Sequence, residues 1–143
     1  MPVIRLIRII FLVPLLLLTA CSATGNYNGD AHRQLVMLQA LHMQFIDDAT
    51  MSDIRDAALD ERDYQLQYRA AWLFAENLGD PLRLDNLQSL HNIWQVQSDR
   101  FRQQQRPFNS SQARLFSRQA SAAYQQAIHG ECLRPHSVCH QGL

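Results

Sequence analysis

The 143-residue chain contains no lysine, so all 13 of its basic residues are arginines. Thirteen acidic residues balance them, and a chain without net charge gives no indication of nucleic-acid binding. An arginine-rich surface still presents planar guanidinium groups, which suit phosphate or carboxylate ligands. The sequence also lacks a glycine-rich phosphate loop and a G-x-S-x-G elbow, and no serine lies in a context typical of a nucleophile. We therefore expect no catalytic residues.

The chain also lacks a long apolar run. Its most apolar stretch, Ile9 to Leu18, is ten residues long, well below the roughly 20 residues that a membrane-spanning helix needs. This stretch follows Arg5 and Arg8 and precedes small residues, a pattern typical of a secretory signal. Cleavage of residues 1–20 would remove two of the 13 arginines and none of the 13 acids, which leaves a net charge of −2. The remaining 123 of the 143 residues are enough for one domain with a hydrophobic core.

The predicted cleavage site lies within residues 18–21, Leu-Thr-Ala-Cys. This segment resembles the lipobox of bacterial lipoproteins, in which the cysteine is lipidated and the chain is cut just before it. The resemblance covers residues 1–21 and implies a diacylglycerol thioether and an acylated amino terminus on Cys21. The second residue of the mature chain would be Ser22 rather than an aspartate, which by resemblance to enterobacterial lipoproteins implies sorting to the outer membrane, facing the periplasm. Two or more acyl chains hold a protein stably at a bilayer. The alternative is a soluble secreted protein whose signal happens to end near a cysteine.

Beyond the anchor, residues 21–29 are small and polar and predict a short flexible tether, and residues 30–130 carry apolar side chains at helical spacing. No stretch of alternating β-branched residues interrupts them. The pattern predicts an all-α fold, a single antiparallel bundle of about four helices joined by short connections. The predicted boundaries are an N-cap at Asp30, a candidate break at residues 60–63, a stop at Gly79, a restart at Asp80-Pro81, a cap at Asn109 and an end at Gly130.

The only other cysteines, Cys132 and Cys139, lie in the C-terminal tail, residues 131–143. An even pair of cysteines in an exported protein predicts a disulfide, which would pin this tail. One alternative is a zinc-type site in which His136 and His140 join the two thiols, although the spacing matches no standard zinc motif. Another is a pair of free or redox-active thiols. We favour the disulfide and predict no metal and no cofactor.

Arginines are concentrated between residues 99 and 118, where Asp99 is the single acid. The cluster comprises Arg100, Arg102, Arg106, Arg114 and Arg118. Such a surface suits phosphates of lipid headgroups, a glycan acid or an acidic partner protein. The alternative is a solvated helix face that is neutralised by the acidic connection between the first two helices, which the bundle topology brings to the same end.

The other histidines are scattered, and we expect them to be hydrogen-bonded residues at the edge of the core rather than a catalytic set: His32, His42, His91 and His129. The large aromatics are expected in the core: Tyr64, Tyr68, Trp72 and Trp94. If an aromatic were exposed beside arginines, it would indicate a groove for a partner.

The sequence thus predicts a non-enzymatic binding module, anchored to the outer membrane, that positions or assists another envelope protein. Small helical lipoproteins that act as pilotins are similar in size and plan, and their bundles capture partner helices by apolar anchors. One alternative is a small periplasmic enzyme or metal-handling protein that uses the Cys/His C-terminal loop. Another is a structural lipoprotein that contacts peptidoglycan.

Overall fold

The computed structural model describes residues 25–51 and 55–139, and within them the chain forms four α-helices. They are α1 (Gly29–Asp48), α2 (Arg55–Asn77), α3 (Pro81–Gln104) and α4 (Ser110–Cys132). Each helix packs against its neighbours in the chain, and α1 also packs against α4, so the four helices close into a ring. The predicted all-α bundle is confirmed.

Two hydrogen bonds fix the direction of the helices. The Phe108 N–H donates to the Ala49 carbonyl at 2.8 Å, which joins the α1–α2 and α3–α4 connections at one end of the bundle. At the other end, the Asn28 N–H donates to Glu131 Oε1 at 3.0 Å, which joins the start of α1 to the end of α4. Successive helices therefore run antiparallel, as the short connections predicted.

Most helix ends follow the local chemistry of the sequence. The Asp80 carboxylate accepts the Arg83 N–H at 3.1 Å, and Pro81 occupies the first turn of α3. Asn109 caps α4 in a capping box with Gln112. Gly79 has a φ of 62°, the left-handed conformation that a helix C-terminus favours for glycine. These three predictions are confirmed.

Three other boundaries differ from the prediction. Asn28 rather than Asp30 caps α1, because its side chain accepts the N–H groups of residues 30 and 31. The candidate break at residues 60–63 is absent from α2, whose next turn places Tyr64 fully inside the core. Helix α4 continues through Gly130 to Cys132, because Glu131 is held by buried ion pairs.

The core is organised around Trp94 of α3. The Tyr64 ring stacks on it with centroids 3.8 Å apart, Phe45 lies at 4.7 Å, and His42 meets it edge-on at 5.0 Å. Aromatic pairs in such arrangements add to the stability that burial provides. Buried alanines on the two helices beside α1 leave room for close packing: Ala57, Ala71, Ala75, Ala120 and Ala127.

Candidate functional site

A buried network of four charged side chains lies at the end of the bundle where the N-terminal segment enters. Arg83 Nη2 donates to Glu131 Oε1 at 2.6 Å, and Arg83 Nη1 to Asp80 Oδ2 at 3.0 Å. Arg134 completes the network, with Nη1 at 2.6 Å from Asp80 Oδ2 and Nε at 3.0 Å from Glu131 Oε2. All four side chains are buried. Two guanidinium groups thus balance two carboxylates, as burial of charge requires.

The network has an electrostatic consequence for Asp80. Burial by itself would raise the pKa of this carboxyl, but the hydrogen bond to Arg134, the backbone N–H of Arg83 and the charges of both arginines outweigh burial. The pKa of Asp80 is therefore held below its usual value. Its carboxylate stays ionised and available to both guanidinium groups.

The same network holds the segment that precedes α1. Arg83 Nη2 donates to the Asn26 carbonyl at 2.7 Å, and Arg134 Nη1 donates to the Gly25 carbonyl at 3.0 Å. The Tyr27 N–H donates to the Pro135 carbonyl at 2.9 Å. The flexible tether predicted through residue 29 is therefore bound to the bundle from Gly25 onward. We call residues 25–28, together with the four buried charges, the N-terminal clamp.

The disulfide predicted between Cys132 and Cys139 is present. A histidine from α1 lies beside it: His32 Nδ1 is 3.9 Å from Cys132 Sγ and 3.6 Å from Cys139 Sγ. The same nitrogen is 3.1 Å from the Tyr27 hydroxyl. Of the two histidines that the alternative zinc-type site would have joined to the thiols, His136 is exposed and residue 140 lies outside the described residues. His32 was not linked to the cysteines by the sequence because 100 positions separate it from the nearer one.

His42 lies at the centre of the core, deeper than the edge position expected for it, and has no solvent access. Its Nε2 is 2.9 Å from Gln97 Oε1, and its Nδ1 is 3.3 Å from the Tyr124 hydroxyl. The Gln97 amide nitrogen donates to the Phe116 carbonyl at 3.3 Å, so its oxygen faces His42 and the proton of the ring lies on Nε2. Burial lowers the pKa of His42 to about 4, although the hydrogen bond to Gln97 opposes the shift. The ring is therefore neutral at neutral pH.

All five arginines of the predicted cluster are exposed: Arg100, Arg102, Arg106, Arg114 and Arg118. Arg102 Nη2 is 2.5 Å from Asp99 Oδ1, and its Nε is 3.9 Å from Glu61 Oε1 on α2. Glu61, rather than the connection between the first two helices, supplies this interhelical partner. The role of the cluster as a binding site stays a prediction.

An aromatic cleft opens between α2 and α3. The rings of Tyr68 and His91 stack with centroids 4.0 Å apart, and Trp72 lies 6.0 Å from Tyr68 on the same side. All three are half-buried, whereas the sequence placed both Tyr68 and Trp72 in the core. The cleft is also lined by Gln65, Arg69, Leu73 and Gln88. His91 Nδ1 is buried and has no hydrogen-bond partner among the described residues, and burial lowers the pKa of its ring. A partly exposed aromatic surface beside an arginine thus exists, next to Arg69 rather than beside the predicted cluster.

No family model, curated protein or solved structure matches this chain. Within residues 25–51 and 55–139, none of the helices combines the length and the apolar character that crossing a membrane requires. The predicted signal peptide and Cys21 lie outside the described residues.

Proposed function

We propose that the protein is a non-enzymatic, lipid-anchored module that holds a docking cleft for another envelope protein close to the periplasmic face of the outer membrane. The observation that carries this proposal is the aromatic cleft between α2 and α3, where Tyr68, Trp72 and His91 reach the surface together. Aromatic and arginine side chains in a partly desolvated groove are typical of binding hot spots.

The N-terminal clamp supports the anchored arrangement. Cys21 precedes Gly25 by four residues, which span at most about 14 Å when fully extended. A lipid on Cys21 would therefore keep the clamped end of the bundle near the bilayer. The opposite end, where the Phe108 N–H joins the two connections, would face the periplasm.

A non-enzymatic role is supported by the position of His42, whose pKa shift is large. His42 has a strongly lowered pKa, which in an enzyme can mark a proton-transfer group. Its ring is fully buried among Trp94, Tyr64 and Tyr124, so no substrate reaches it. The shift is explained by its role in the core.

The chemistry of the cleft indicates the kind of partner. Half-buried aromatic rings with two glutamines at the rim suit an apolar segment whose backbone or polar side chains hydrogen-bond to Gln65 and Gln88. Arg69 adds a guanidinium that favours an acidic residue at the end of that segment. A partner helix with aliphatic anchors at helical spacing meets these requirements.

The docking proposal is tested by site-specific photo-crosslinking in intact cells. A photo-reactive amino acid at Gln65 or Gln88 of the full-length chain should give one discrete adduct with an envelope protein. Trp72→Ala should abolish this adduct, because removal of a central aromatic anchor costs about 2 kcal/mol or more of binding free energy. The matched control position is Gln126, exposed on α4 diagonally across the bundle. The same adduct from Gln126, or none from the cleft, would contradict the proposal.

The anchor is tested separately by fractionation. Wild-type protein should sediment with outer membranes and carry a mass increase on Cys21, and Cys21→Ser should move it to the soluble fraction. Recovery of wild-type protein in the soluble periplasm with an unmodified Cys21 would contradict the anchor. It would not by itself remove the docking cleft.

A second candidate function, metal handling, is favoured by the position of His32 beside the two sulfurs. In a tetrahedral zinc site, a nitrogen and a sulfur ligand lie about 3.5 Å apart, given metal–ligand distances of about 2.0 and 2.3 Å. The observed separations of 3.6 and 3.9 Å from Nδ1 are close to this value. The sulfurs would first have to be reduced, with a dithiol supplying two electrons and two protons.

The candidates are separated by titrating the dithiol-reduced protein with Co²⁺, a spectroscopic probe for zinc sites. Thiolate-to-cobalt absorption that is lost in His32→Ala would support metal handling. Absorption that does not depend on His32 would contradict a site built from this histidine.

A further inference from the structure

Helix α2 carries a row of exposed leucines on the side that faces away from the core. Leu59, Leu66 and Leu73 are 51%, 69% and 52% exposed. They follow one another at intervals of seven residues, so they lie in one row that drifts by only about 20° per step. Each is two residues beyond a buried residue of α2 (Ala57, Tyr64 and Ala71), which is a rotation of about 200° around the helix. We call this row, about 21 Å long, the leucine seam.

Opposite charges flank the leucine seam on its two sides. Asp56 lies three residues before Leu59, and Asp63 lies three residues before Leu66. Arg62 lies three residues after Leu59, and Arg69 lies three residues after Leu66. All four charged side chains are exposed. Positions i−3 and i+3 lie about 60° to either side of position i. One edge of the seam is therefore acidic and the other basic, while Leu73 has Ala70 and Glu76 at the same two positions. Arg62 and Asp63 form an in-chain pair at 3.7 Å, but both remain exposed and available.

This pattern of charges is complementary to itself in one orientation. When two copies of a helix pack in parallel about a twofold axis, the basic edge of each lies against the acidic edge of the other. When they pack antiparallel, each edge lies against its own equivalent, which places like charges together. From the leucine seam and its two edges we propose that the occupant of this face is a second copy of the chain, bound through α2 in parallel.

The location of the predicted anchor agrees with this polarity; this step alone rests on the proposed function. Helix α2 ends at the clamped end of the bundle, where Asp80 lies. A parallel pair therefore places both N-terminal clamps at the same end, so both lipids can enter one bilayer. An antiparallel pair would place them at opposite ends. Confinement to a membrane also raises the effective concentration of the two copies, which allows a short seam to associate.

The proposal is tested by cysteine crosslinking of the full-length chain in membranes with a short bis-maleimide. Leu59→Cys, Leu66→Cys and Leu73→Cys should each give a product of twice the monomer mass, because equivalent positions face each other in a parallel pair. The matched control is Leu115→Cys, similarly exposed on α4. Equal dimer yields at positions 66 and 115 would overturn the proposal, as would an adduct at position 66 whose second chain is a different protein.

Orientation is tested by mixing two tagged variants. Co-expression of Leu59→Cys with Leu73→Cys should give little mixed product in a parallel pair. A mixed product that exceeds the two like-with-like products would show antiparallel packing and would overturn the proposed polarity.

The role of the flanking charges is tested by reversing one edge at a time in the Leu66→Cys background. Arg62→Asp with Arg69→Asp makes both edges acidic, and Asp56→Arg with Asp63→Arg makes both basic. Each variant alone should lose about tenfold or more of its crosslinked product, and co-expression of the two should restore it. Circular dichroism should show unchanged helicity, since all four positions are exposed. Undiminished crosslinking of either variant alone would overturn the proposal.

Arg69 and Leu73 belong both to the leucine seam with its edges and to the lining of the docking cleft, so the two proposals are separated at Leu66 and Gln88, each of which belongs to one surface only. A partner adduct from Gln88 without a dimer at position 66 would overturn this inference and leave the proposed function standing. A dimer at position 66 without a partner adduct from the cleft would overturn the proposed docking function and leave this inference standing.

Discussion

Arg83 and Glu131, 48 positions apart, form a bidentate ion pair inside the protein: Nη2 lies 2.6 Å from Oε1, and Nε lies 3.1 Å from Oε2. The same arginine also donates to Asp80 and to the Asn26 carbonyl. One side chain thus connects the start of α3, the end of α4 and the segment before α1. Because this segment leads directly to the predicted lipid site, the pair links the stability of the fold to the way in which the bundle is held at the membrane.

Replacement of Arg83 by methionine should destabilise the protein strongly. The substitution leaves Glu131 and Asp80 buried with only Arg134 between them, and breaking a buried pair in this way costs about 3–5 kcal/mol. The matched control is Arg33→Met on the surface of α1, where the ion pair with Asp30 at 3.3 Å is exposed and contributes less than about 1 kcal/mol. Urea unfolding of both variants measures the difference. Equal losses of stability would contradict the clamp.

Part of this network could be anticipated from the sequence and part could not. Asp80 with Arg83, and Glu131 with Arg134, are each spaced by three residues, a separation at which helical side chains meet. The predicted topology also brings both pairs to the same end of the bundle. The burial of these side chains could not be predicted from the local sequence, because charged residues are rarely buried unless they are paired. The pairs that complete the network, Arg83 with Glu131 and Arg134 with Asp80, join residues that are 48 and 54 positions apart.

Helix ends were predictable where one side chain satisfies the free backbone groups, as Asp80 and Asn109 do. The prediction was wrong at Gly130, since a glycine that is tolerable within a helix cannot signal that the following glutamate is buried. The aromatic cleft was missed for a related reason: helical spacing places Tyr68 and Trp72 near the core side of α2. Only the packing of α3 decides that their outer edges reach the surface.

Stability should fall in acid because of His42. In the folded protein its pKa is about 4, below the ordinary value of 6.5 that the unfolded chain restores. The contribution of the neutral His42 ring to the free energy of unfolding is therefore complete above pH 6.5 and is lost as the pH falls towards 4. The reason is that His42 takes up a proton at a higher pH in the unfolded chain than in the folded protein. The loss should be on the order of 3 kcal/mol. His42→Gln should flatten this part of the profile relative to wild type when urea unfolding is measured at each pH; parallel profiles would contradict the assignment.

Removal of the disulfide should loosen both the C-terminal tail and the N-terminal clamp. Cys132 and Cys139 close a loop of about eight residues, for which chain entropy gives about 2–3 kcal/mol. Pro135 and Arg134 lie inside this loop and hold Tyr27 and Gly25. The double variant Cys132→Ser with Cys139→Ser should therefore speed hydrogen exchange of the Tyr27 amide, while amides near Trp94 stay protected. Unchanged exchange at Tyr27 would show that the clamp is independent of the disulfide.

Asp60 should destabilise the protein above neutral pH. Its pKa is raised to about 7, first by burial, then by the hydrogen bond and the charge of Asp48, and further by Asp63 and Asp56. Because the pKa of Asp60 is raised in the folded state, its contribution to the free energy of unfolding is complete below the ordinary pKa of 3.8. That contribution is lost as the pH rises through 7 and the carboxyl ionises in the folded protein. Asp60→Asn cannot ionise, so its melting temperature should exceed that of wild type at pH 8, and the difference should shrink at pH 5.

The same cause should make Asp48→Asn stabilising at pH 8, because it removes the strongest charged neighbour of Asp60. The two substitutions relieve one repulsion, so the double variant should gain less than the sum of the single variants. Melting temperatures of the four proteins at pH 8 form the cycle that checks this. Additive gains would show that the two carboxyl groups do not interact, and the raised pKa of Asp60 would then have to come from burial and from the charges of Asp63 and Asp56.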